Sequence, residues 1–315
     1  MITRRNFIQA STLGAAGIAL GTSAATQANA QHPTKTNAAS FWPDGSRLVI
    51  SVSMQFEAGG QPENAESPFP DNLIKGYRDL PAQTWYQYGY KEGIPRMLDL
   101  WDEFGIKVTS HMVGEAVQKN PRLAREIVDR GHEAAAHGMS WSSQYNMAYD
   151  EEKKFIADGV EAVRQATGQT PKGYNANWLR RGENTLAILQ ELGFTYHIDD
   201  LSRDEPFILS IKGKDFAVVP YTIRNNDILL IEGRHFSADQ FYQHLRLEFD
   251  QLYNEAAKRR RMMSISFHDR IGGTPQIVQA ARNFFTYATQ QKGVSFKRKD
   301  QIAQIALTDK NTIRE

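Results

Sequence analysis

The sequence contains no cysteine among its 315 residues. Disulfide bonds, thiolate metal ligands and a cysteine nucleophile are therefore excluded. The stability of the fold must come from a hydrophobic core, and apolar residues make up 41% of the chain, which is enough to build one.

The sequence also lacks an excess of charge of either sign, with 37 Lys and Arg against 36 Asp and Glu. A balanced surface does not attract a polyanion as a whole, so we predict no nucleic-acid partner. One basic run, Lys258–Arg261, follows a helical pattern, and cations suit the C-terminal end of a helix. We interpret this run as a solvated helix end.

Long hydrophobic runs are missing after residue 30, where no segment approaches the roughly 20 apolar residues that a membrane span needs. Residues 1–30 are different, because they contain the pair Arg4-Arg5, then a weakly apolar run, and end in Ala28-Asn29-Ala30. This pattern is typical of a twin-arginine signal peptide. We expect it to be removed on export, leaving a flexible lead-in over 31–45 and a periplasmic or secreted protein that does not bind the membrane.

Residues 46–315 alternate between strand patterns and helix patterns. The predicted strands cover 47–54, 106–112, 132–136, 173–177, 194–198, 216–219, 228–232, 263–267 and 294–297. The predicted helices cover 95–104, 121–130, 150–166, 183–192 and 237–258, and a further helix begins at Pro275. Such alternation predicts parallel βαβ units. Because there is no Gly-x-Gly-x-x-Gly turn, the pattern favours a distorted or incomplete (β/α)7 barrel over a Rossmann sheet.

Functional side chains of a parallel α/β barrel lie at the C-terminal ends of its strands. The residues at or just after the predicted strand ends include four of the eight histidines. The set is Gln55, Phe56, Glu57, His111, His137, Asn177, Trp178, His197, Asp199, Asp200, His268 and Asp269. Each of these alone is more often structural, but their convergence on one rim predicts a site there.

Several short motifs, taken in order, resemble the polysaccharide deacetylases with a NodB-type (β/α)7 barrel. They are Phe56-Glu57-Ala58-Gly59-Gly60, Gly131-His-Glu followed by His137-Gly138, Gly173-Tyr174, Asn184-Thr-Leu, Leu192-Gly-Phe194 and Phe267-His268. The resemblance extends from about Arg47 to about Ala306. Two further segments, Arg78–Pro81 and Tyr88-Gly89, are most similar to the branch with the metal-independent allantoinases.

The resemblance implies roles for residues of this chain. Glu57 matches the catalytic base, His268 the catalytic acid and His137 the first metal-binding histidine, whereas Ala58 and Trp141 replace the other two metal ligands. A lone histidine with one carboxylate is too few for a catalytic zinc, which normally has three protein ligands. We therefore expect no cofactor. A divalent metal such as zinc remains an alternative, in which His111 would complete a site with His137 and Glu57.

Without a metal, a protein base has to activate water. We expect burial beside Phe56 to raise the pKa of Glu57 toward a useful value. We expect Asp199 or Asp200 to orient His268, which would protonate the leaving nitrogen.

The remaining candidates would hold the substrate or the developing oxyanion. Hydrogen bonds to the oxyanion would come from His137, from the Trp141 indole or from Asn177. Trp178, Asp199, Asp200, His111 and Arg180 complete the predicted substrate-binding set, although a solvated arginine is an equal interpretation of Arg180. The aromatic residues Trp85, Tyr86, Tyr88 and Tyr90 would either stack on sugar or cover the barrel.

The sequence thus predicts a hydrolase of a non-peptide carbon–nitrogen bond, most simply the deacetylation of an N-acetylated carbohydrate. Two alternatives remain open. One is hydrolysis of a small cyclic amide related to allantoin, and the other is an inactive barrel that only binds glycans. The substrate, the presence of a metal and the formation of a homo-oligomer are not determined by the sequence.

Overall fold

The structure is a computed structural model that describes residues 41–63, 65, 67–70 and 76–315. The predicted signal peptide, residues 31–40 of the predicted lead-in and part of the loop that follows the first strand lie outside the described residues. Among the described helices, none combines the length and the apolar character that a transmembrane segment requires.

The central strand β1 (Leu48–Phe56) separates an apolar layer from a polar layer. All nine of its residues are buried. Val52, Met54 and Phe56 belong to the main hydrophobic core. Because side chains alternate along a strand, Ser53 and Gln55 point to the opposite side, into the barrel. The end of β1 therefore delivers the next residue, Glu57, to the mouth of that interior.

In the described ranges, ten strands form one sheet in the order β10-β6-β7-β5-β4-β3-β2-β1-β8, and β9 pairs with β1. The other strands are β2 (Thr109–Met112), β3 (Glu133–Ala136), β4 (Gly173–Tyr174), β5 (Tyr196–His197), β6 (Phe207–Ile211), β7 (Lys214–Val218), β8 (Met262–His268), β9 (Val294–Phe296) and β10 (Ile313–Arg314). The β6–β7 pair is antiparallel. The other paired strands run parallel. The C-terminal ends of β1–β5 and β7–β9 therefore lie at one rim, whereas β6 and β10 run in the opposite direction.

Helices cover the outer face of the sheet. They are α1 (Leu80–Tyr88), α2 (Ile94–Glu103), α3 (Gly114–Lys119), α4 (Pro121–Asp129), α5 (Tyr149–Thr167), α6 (Thr185–Glu191), α7 (Ala238–Glu255), α8 (Pro275–Thr289) and α9 (Lys299–Thr308). Two π-helical segments, Gly89–Gly93 and Ile228–Gly233, and a 3-10 turn at Asn177–Leu179 lie near the rim.

The seam of the barrel lies between β8 and the chain that leaves β7. Within the described residues, pairing across this seam is reduced to a bridge between Asn226 and Ser266. The hydrogen-bonded ladder is therefore not closed, and the prediction of an incomplete (β/α)7 barrel is confirmed.

One predicted strand is wrong. Residues 228–232 form the π-helical segment Ile228–Gly233 instead of a strand. The side chains of Asn226 and Asp227 accept hydrogen bonds from the Ile228 backbone N–H at 3.1 and 2.8 Å, which starts a helical turn. A short apolar run fits a strand and a buried helix equally well, so the sequence pattern could not separate them.

The other predicted strands and all predicted helices are confirmed, although β2, β4 and β5 are shorter than predicted. The sequence pattern does not predict α1, α3, α9, β6 or β10. Strand β6 could have been found from Lys212-Gly213, where positive φ angles of 48° and 76° form the tight turn of a β-hairpin.

The π-helical segment Gly89–Gly93 packs directly on the loop that follows β8. A Cβ added at Gly93 would overlap the carbonyl oxygen of Asp269, and one at Gly89 would lie 2.7 Å from the Asp269 carboxyl carbon. A Cβ at Gly273 would in turn overlap the backbone of Gly93. The backbones can approach this closely only because these three residues have no side chain.

We expect Gly93→Ala to lower the free energy of unfolding by about 1–3 kcal/mol, because the added methyl group pushes the segment away from Asp269. Urea denaturation followed by circular dichroism measures the change. Gly233→Ala is the matched control in the other π-helical segment, since the Ile228 carbonyl oxygen at 3.7 Å is the one contact of its added Cβ within 4 Å among the described residues. Equal unfolding midpoints for the two variants would contradict the packing described above.

Candidate active site

Glu57 lies at the rim, directly after β1, and its side chain is buried. Its Oε1 atom is 3.4 Å from His137 Nε2 and 3.7 Å from His268 Nε2. Its Oε2 atom accepts a hydrogen bond from Arg270 Nη1 at 2.7 Å. The carboxylate and the two imidazoles that the sequence predicted to meet therefore come together at one oxygen atom.

His268 ends β8 and is fixed by Asp227. Its Nδ1 atom is 2.6 Å from Asp227 Oδ1, and its backbone N–H donates to Asp227 Oδ2 at 2.7 Å. This leaves Nε2 directed toward Glu57. The expectation that Asp199 or Asp200 orients His268 is wrong, because the partner comes from the seam of the barrel.

The charges around His268 favour its protonated form. Burial alone would lower the pKa of His268, but the negative charges of Asp227 and Glu57 raise it above its ordinary value. An imidazolium in this place holds a proton on Nε2, which is the atom that faces Glu57. His268 can therefore act as a general acid.

The expected rise in the pKa of Glu57 is wrong. Burial alone would raise the pKa of this carboxyl, but the charges of His268 and Arg270 and the hydrogen bond from His137 hold it well below its ordinary value. Glu57 therefore remains a carboxylate over the whole physiological pH range.

His137 follows β3, and its Nδ1 atom lies 2.7 Å from the Asn175 carbonyl oxygen. A carbonyl oxygen can only accept, so Nδ1 carries a proton. In the neutral ring, Nε2 then has a lone pair and cannot donate to an oxyanion. The predicted role of His137 as an oxyanion donor consequently requires the doubly protonated imidazolium.

Asp199 supports His137 through the loop at Asn175 and Ala176. It accepts hydrogen bonds from Asn175 Nδ2 at 2.8 Å and from the Ala176 backbone N–H at 3.0 Å. Burial raises the pKa of Asp199 above its ordinary value, although these hydrogen bonds oppose the change. Asp199 therefore holds the loop whose carbonyl group positions His137.

A cleft opens above Glu57 and encloses about 460 Å³ of space, including its mouth. Its lining consists of Gln55, Glu57, His137, Trp141, Asn175, Ala176, Trp178, Leu179, Tyr221, Ile223, Asn226, Ile228, Leu229 and His268. The structure thus brings together six of the predicted site residues, which are Gln55, Glu57, His137, Trp141, Trp178 and His268.

The other predicted substrate-binding residues lie outside the described lining of the cleft, namely His111, Asn177, Arg180, Asp199 and Asp200. Strand β4 is only two residues long, so the alternation expected to carry Asn177 to the cleft stops early. The 3-10 turn buries Asn177 and presents Trp178. Arg180 is exposed, and Asp200 accepts a hydrogen bond from the Ser202 backbone N–H at 2.9 Å.

His111 is fully buried in β2, beside Gln55 of β1 in the sheet. Neither of its ring nitrogens has a hydrogen-bond partner among the described residues. Burial lowers the pKa of His111 well below its ordinary value, so the ring is neutral. His111 is thus an interior residue of the barrel that lies outside the described lining of the cleft.

The residues at this site do not fit a divalent metal ion. Across the described part of the chain, no group of three or more His, Asp or Glu side chains is arranged to hold one. Ala58 and Trp141 offer no donor, and the guanidinium of Arg270 binds the carboxylate that would have to act as a ligand. The alternative with His111 as the third ligand is therefore not supported.

Sequence reasoning missed two charged residues of the site, Asp227 and Arg270. The strand predicted over 228–232 gave no reason to place Asp227 at the site, because that segment is π-helical. Arg270 could have been noticed, since His268-Asp269-Arg270 places three charged or titratable residues directly after a buried strand.

Comparisons with known proteins agree with this architecture. The family model described as polysaccharide deacetylase matches residues 82–197. The solved structure of a probable polysaccharide deacetylase from Pseudomonas aeruginosa PAO1 is 30% identical, covers 84% of this chain and 92% of its own, and has a TM-score of 0.77. The solved structure of PuuE allantoinase is also 30% identical, covers 84% and 91%, and has a TM-score of 0.78. The peptidoglycan deacetylase of Helicobacter pylori is 29% identical over 189 residues, which are 59% of this chain and 61% of that protein.

We expect Asp227→Asn to lower the pKa of His268, because the variant removes the negative charge that stabilises the imidazolium. An NMR titration of the His268 ring measures this without any substrate. Asp200→Asn is the control, since Asp200 is bound to Ser202 rather than to His268. An unchanged His268 titration in Asp227→Asn would show that Asp227 does not set the charge of the ring.

Proposed function

Because this chain belongs to the polysaccharide deacetylase family and is a hydrolase of non-peptide carbon–nitrogen bonds, we propose that it removes the acetyl group from an N-acetylated carbohydrate. The observation that supports this most directly is the position of the Glu57 carboxylate, which lies between two imidazoles at the bottom of an open cleft. A base and an acid within reach of one bond are what amide hydrolysis without a metal requires.

The proposed reaction begins with a water molecule bound at Glu57 Oε1. As the water oxygen attacks the acetyl carbonyl carbon, Glu57 accepts its proton. The low pKa of Glu57 keeps it ionised for this purpose, and the water becomes more acidic as its bond to carbon forms. The Nε2 atom of His137 lies 3.4 Å from the same carboxylate oxygen, so the His137 ring borders the position of this water.

The second half of the reaction uses His268. The tetrahedral intermediate collapses when the C–N bond breaks, and the imidazolium donates its Nε2 proton to the leaving nitrogen. The products are a free amine and acetic acid, which ionises to acetate. The proton accepted by Glu57 Oε1 returns to His268 Nε2, 3.7 Å away, and restores both groups. Activity therefore requires protonated His268 and falls as the pH rises through its raised pKa.

Trp178 supports a carbohydrate as the substrate. Trp178 lines the cleft and is 38% exposed, so its indole is accessible at the mouth. Trp178 and Leu179 have positive φ angles of 51° and 60° in succession. Such strain in residues with a side chain costs free energy and is concentrated at functional sites. An exposed indole at the mouth suits stacking on the apolar face of a sugar ring.

A second candidate substrate is a small cyclic amide related to allantoin. The similarity to the PuuE allantoinase structure fits this alternative, but it is no greater than the similarity to the deacetylase structure that fits the first. The same base and acid would serve, with ring opening in place of acetate release.

We also propose that the chain is exported by the twin-arginine pathway, because residues 1–30 combine a paired arginine, an apolar run and a small-x-small end. This location suits an envelope or environmental carbohydrate.

Replacing Arg4 and Arg5 by lysine is expected to keep the protein in the cytoplasmic fraction of a host that has the pathway. Unchanged export of the double variant would rule out the twin-arginine route.

We expect Glu57→Gln to lower kcat for acetate release from chito-oligosaccharides by about 100-fold or more, because the neutral amide cannot accept the proton of water. Acetate release is measured enzymatically, and oligosaccharide affinity by calorimetry should remain. Glu92→Gln is the control, since the Glu92 side chain is 59% exposed. Turnover within a few-fold of the unmodified protein would exclude Glu57 as the base.

The unmodified protein separates the candidate functions in the same assays. A deacetylase releases acetate, an allantoinase-like enzyme consumes allantoin without releasing acetate, and an inactive glycan-binding barrel binds oligosaccharide without turnover.

We expect Trp178→Ala to raise KM for a chito-oligosaccharide about 10-fold, because loss of one aromatic stacking contact costs roughly 1–2 kcal/mol. Leu247→Ala on α7 is the control, because Leu247 is 70% exposed and does not line the cleft described above. An unchanged KM would argue against the sugar-stacking role and favour the small cyclic amide.

A further inference from the structure

Arg270 is a fully buried cation beside the proposed base. Its side chain has no exposed surface. Nη1 donates to Glu57 Oε2 at 2.7 Å and lies 3.4 Å from Asp269 Oδ1. Burial of an unpaired guanidinium would cost several kcal/mol, so this cation is retained only because these carboxylates surround it.

Three aromatic rings enclose the rest of the guanidinium group. Its carbon atom Cζ lies 4.9, 4.5 and 5.2 Å from the ring centres of Trp85, Tyr86 and Trp141. The Nε and Nη2 atoms have no hydrogen-bond partner among the described residues. Contact with the ring faces compensates in part for the missing hydrogen bonds. The guanidinium is therefore held between two carboxylates and three aromatic rings.

The positions that lack metal ligands take part in this enclosure. Trp141 stands where the family resemblance places the second histidine, and its ring covers Arg270. Ala58 stands where the resemblance places the metal-binding aspartate. The Ala58 backbone N–H donates instead to Asp269 Oδ2 at 2.8 Å, which holds the carboxylate next to the guanidinium.

We propose that the Arg270 guanidinium takes the place of a metal ion at this site, as a fixed positive charge that binds Glu57 Oε2 and leaves Oε1 directed to the cleft. Arg270 is a positioning residue, because it acts through Glu57 and does not line the cleft described above. The expected effect of Arg270 on turnover rests on the proposed function. The replacement of a metal ion by a fixed charge rests only on the contacts of Arg270.

The kinetic experiment compares three substitutions in the full chain. We expect Arg270→Met, which keeps the length but not the charge, to lower kcat by about 100-fold with KM changed by less than about threefold. Arg270→Lys should recover part of kcat, because the charge returns without the planar fork. Added guanidinium at millimolar concentration should raise kcat of Arg270→Ala and should not raise that of Glu57→Gln.

Arg246→Met is the matched control. Arg246 also lies over an aromatic ring, at 4.6 Å from the centre of Tyr287, but its side chain is 43% exposed and remote from the cleft residues. Circular dichroism at the assay temperature confirms folding of each variant. If folded Arg270→Met keeps kcat within about threefold of the unmodified protein, or if guanidinium has no effect on Arg270→Ala, the proposed role is wrong.

A zinc-binding experiment tests the same inference without turnover. The double substitution Ala58→Asp and Trp141→His restores the two donors that the resemblance assigns to a metal. We expect calorimetry to show stoichiometric zinc binding only when Arg270→Ala is added, because the retained guanidinium repels the ion. Equal zinc binding with and without Arg270 would overturn the proposal. This readout remains decisive if the unmodified protein releases no acetate.

Discussion

The buried ion pair between Glu57 and Arg270 is the interaction on which the rest of the site depends. It divides the carboxylate into one oxygen that is occupied and one that faces the two imidazoles. Removal of one partner of such a pair typically costs 3–5 kcal/mol, because the other charge is left alone in the interior. The direction of Glu57 is thus set by the fold rather than by the substrate.

The ion pair also explains parts of the architecture that a barrel alone does not require. Helix α1 supplies Trp85 and Tyr86 to the guanidinium group. Asp269 connects this cover to β1 by accepting the backbone N–H groups of Glu57 and Ala58. Three distant parts of the sequence therefore stabilise one charge distribution, in which each buried charge has an opposite neighbour.

Much of the fold and the main reacting groups could be predicted from the sequence, because both depend on local patterns. Strand ends in a parallel barrel share a rim, so Glu57, His137 and His268 could be grouped without coordinates. Asp227 could not be assigned to His268, since its place depends on how the chain turns at the seam. The pKa of Glu57 was predicted in the wrong direction because burial is visible in a sequence, whereas the positions of neighbouring charges are not.

The contact between the π-helical segment and the loop after β8 has a consequence for how the chain can vary. Gly89, Gly93 and Gly273 leave no room for a methyl group against Asp269 or against each other. A side chain gained at one of them has to be accommodated by a retreat of the loop that carries the guanidinium. Among related chains, these three positions should therefore either remain glycine or change together.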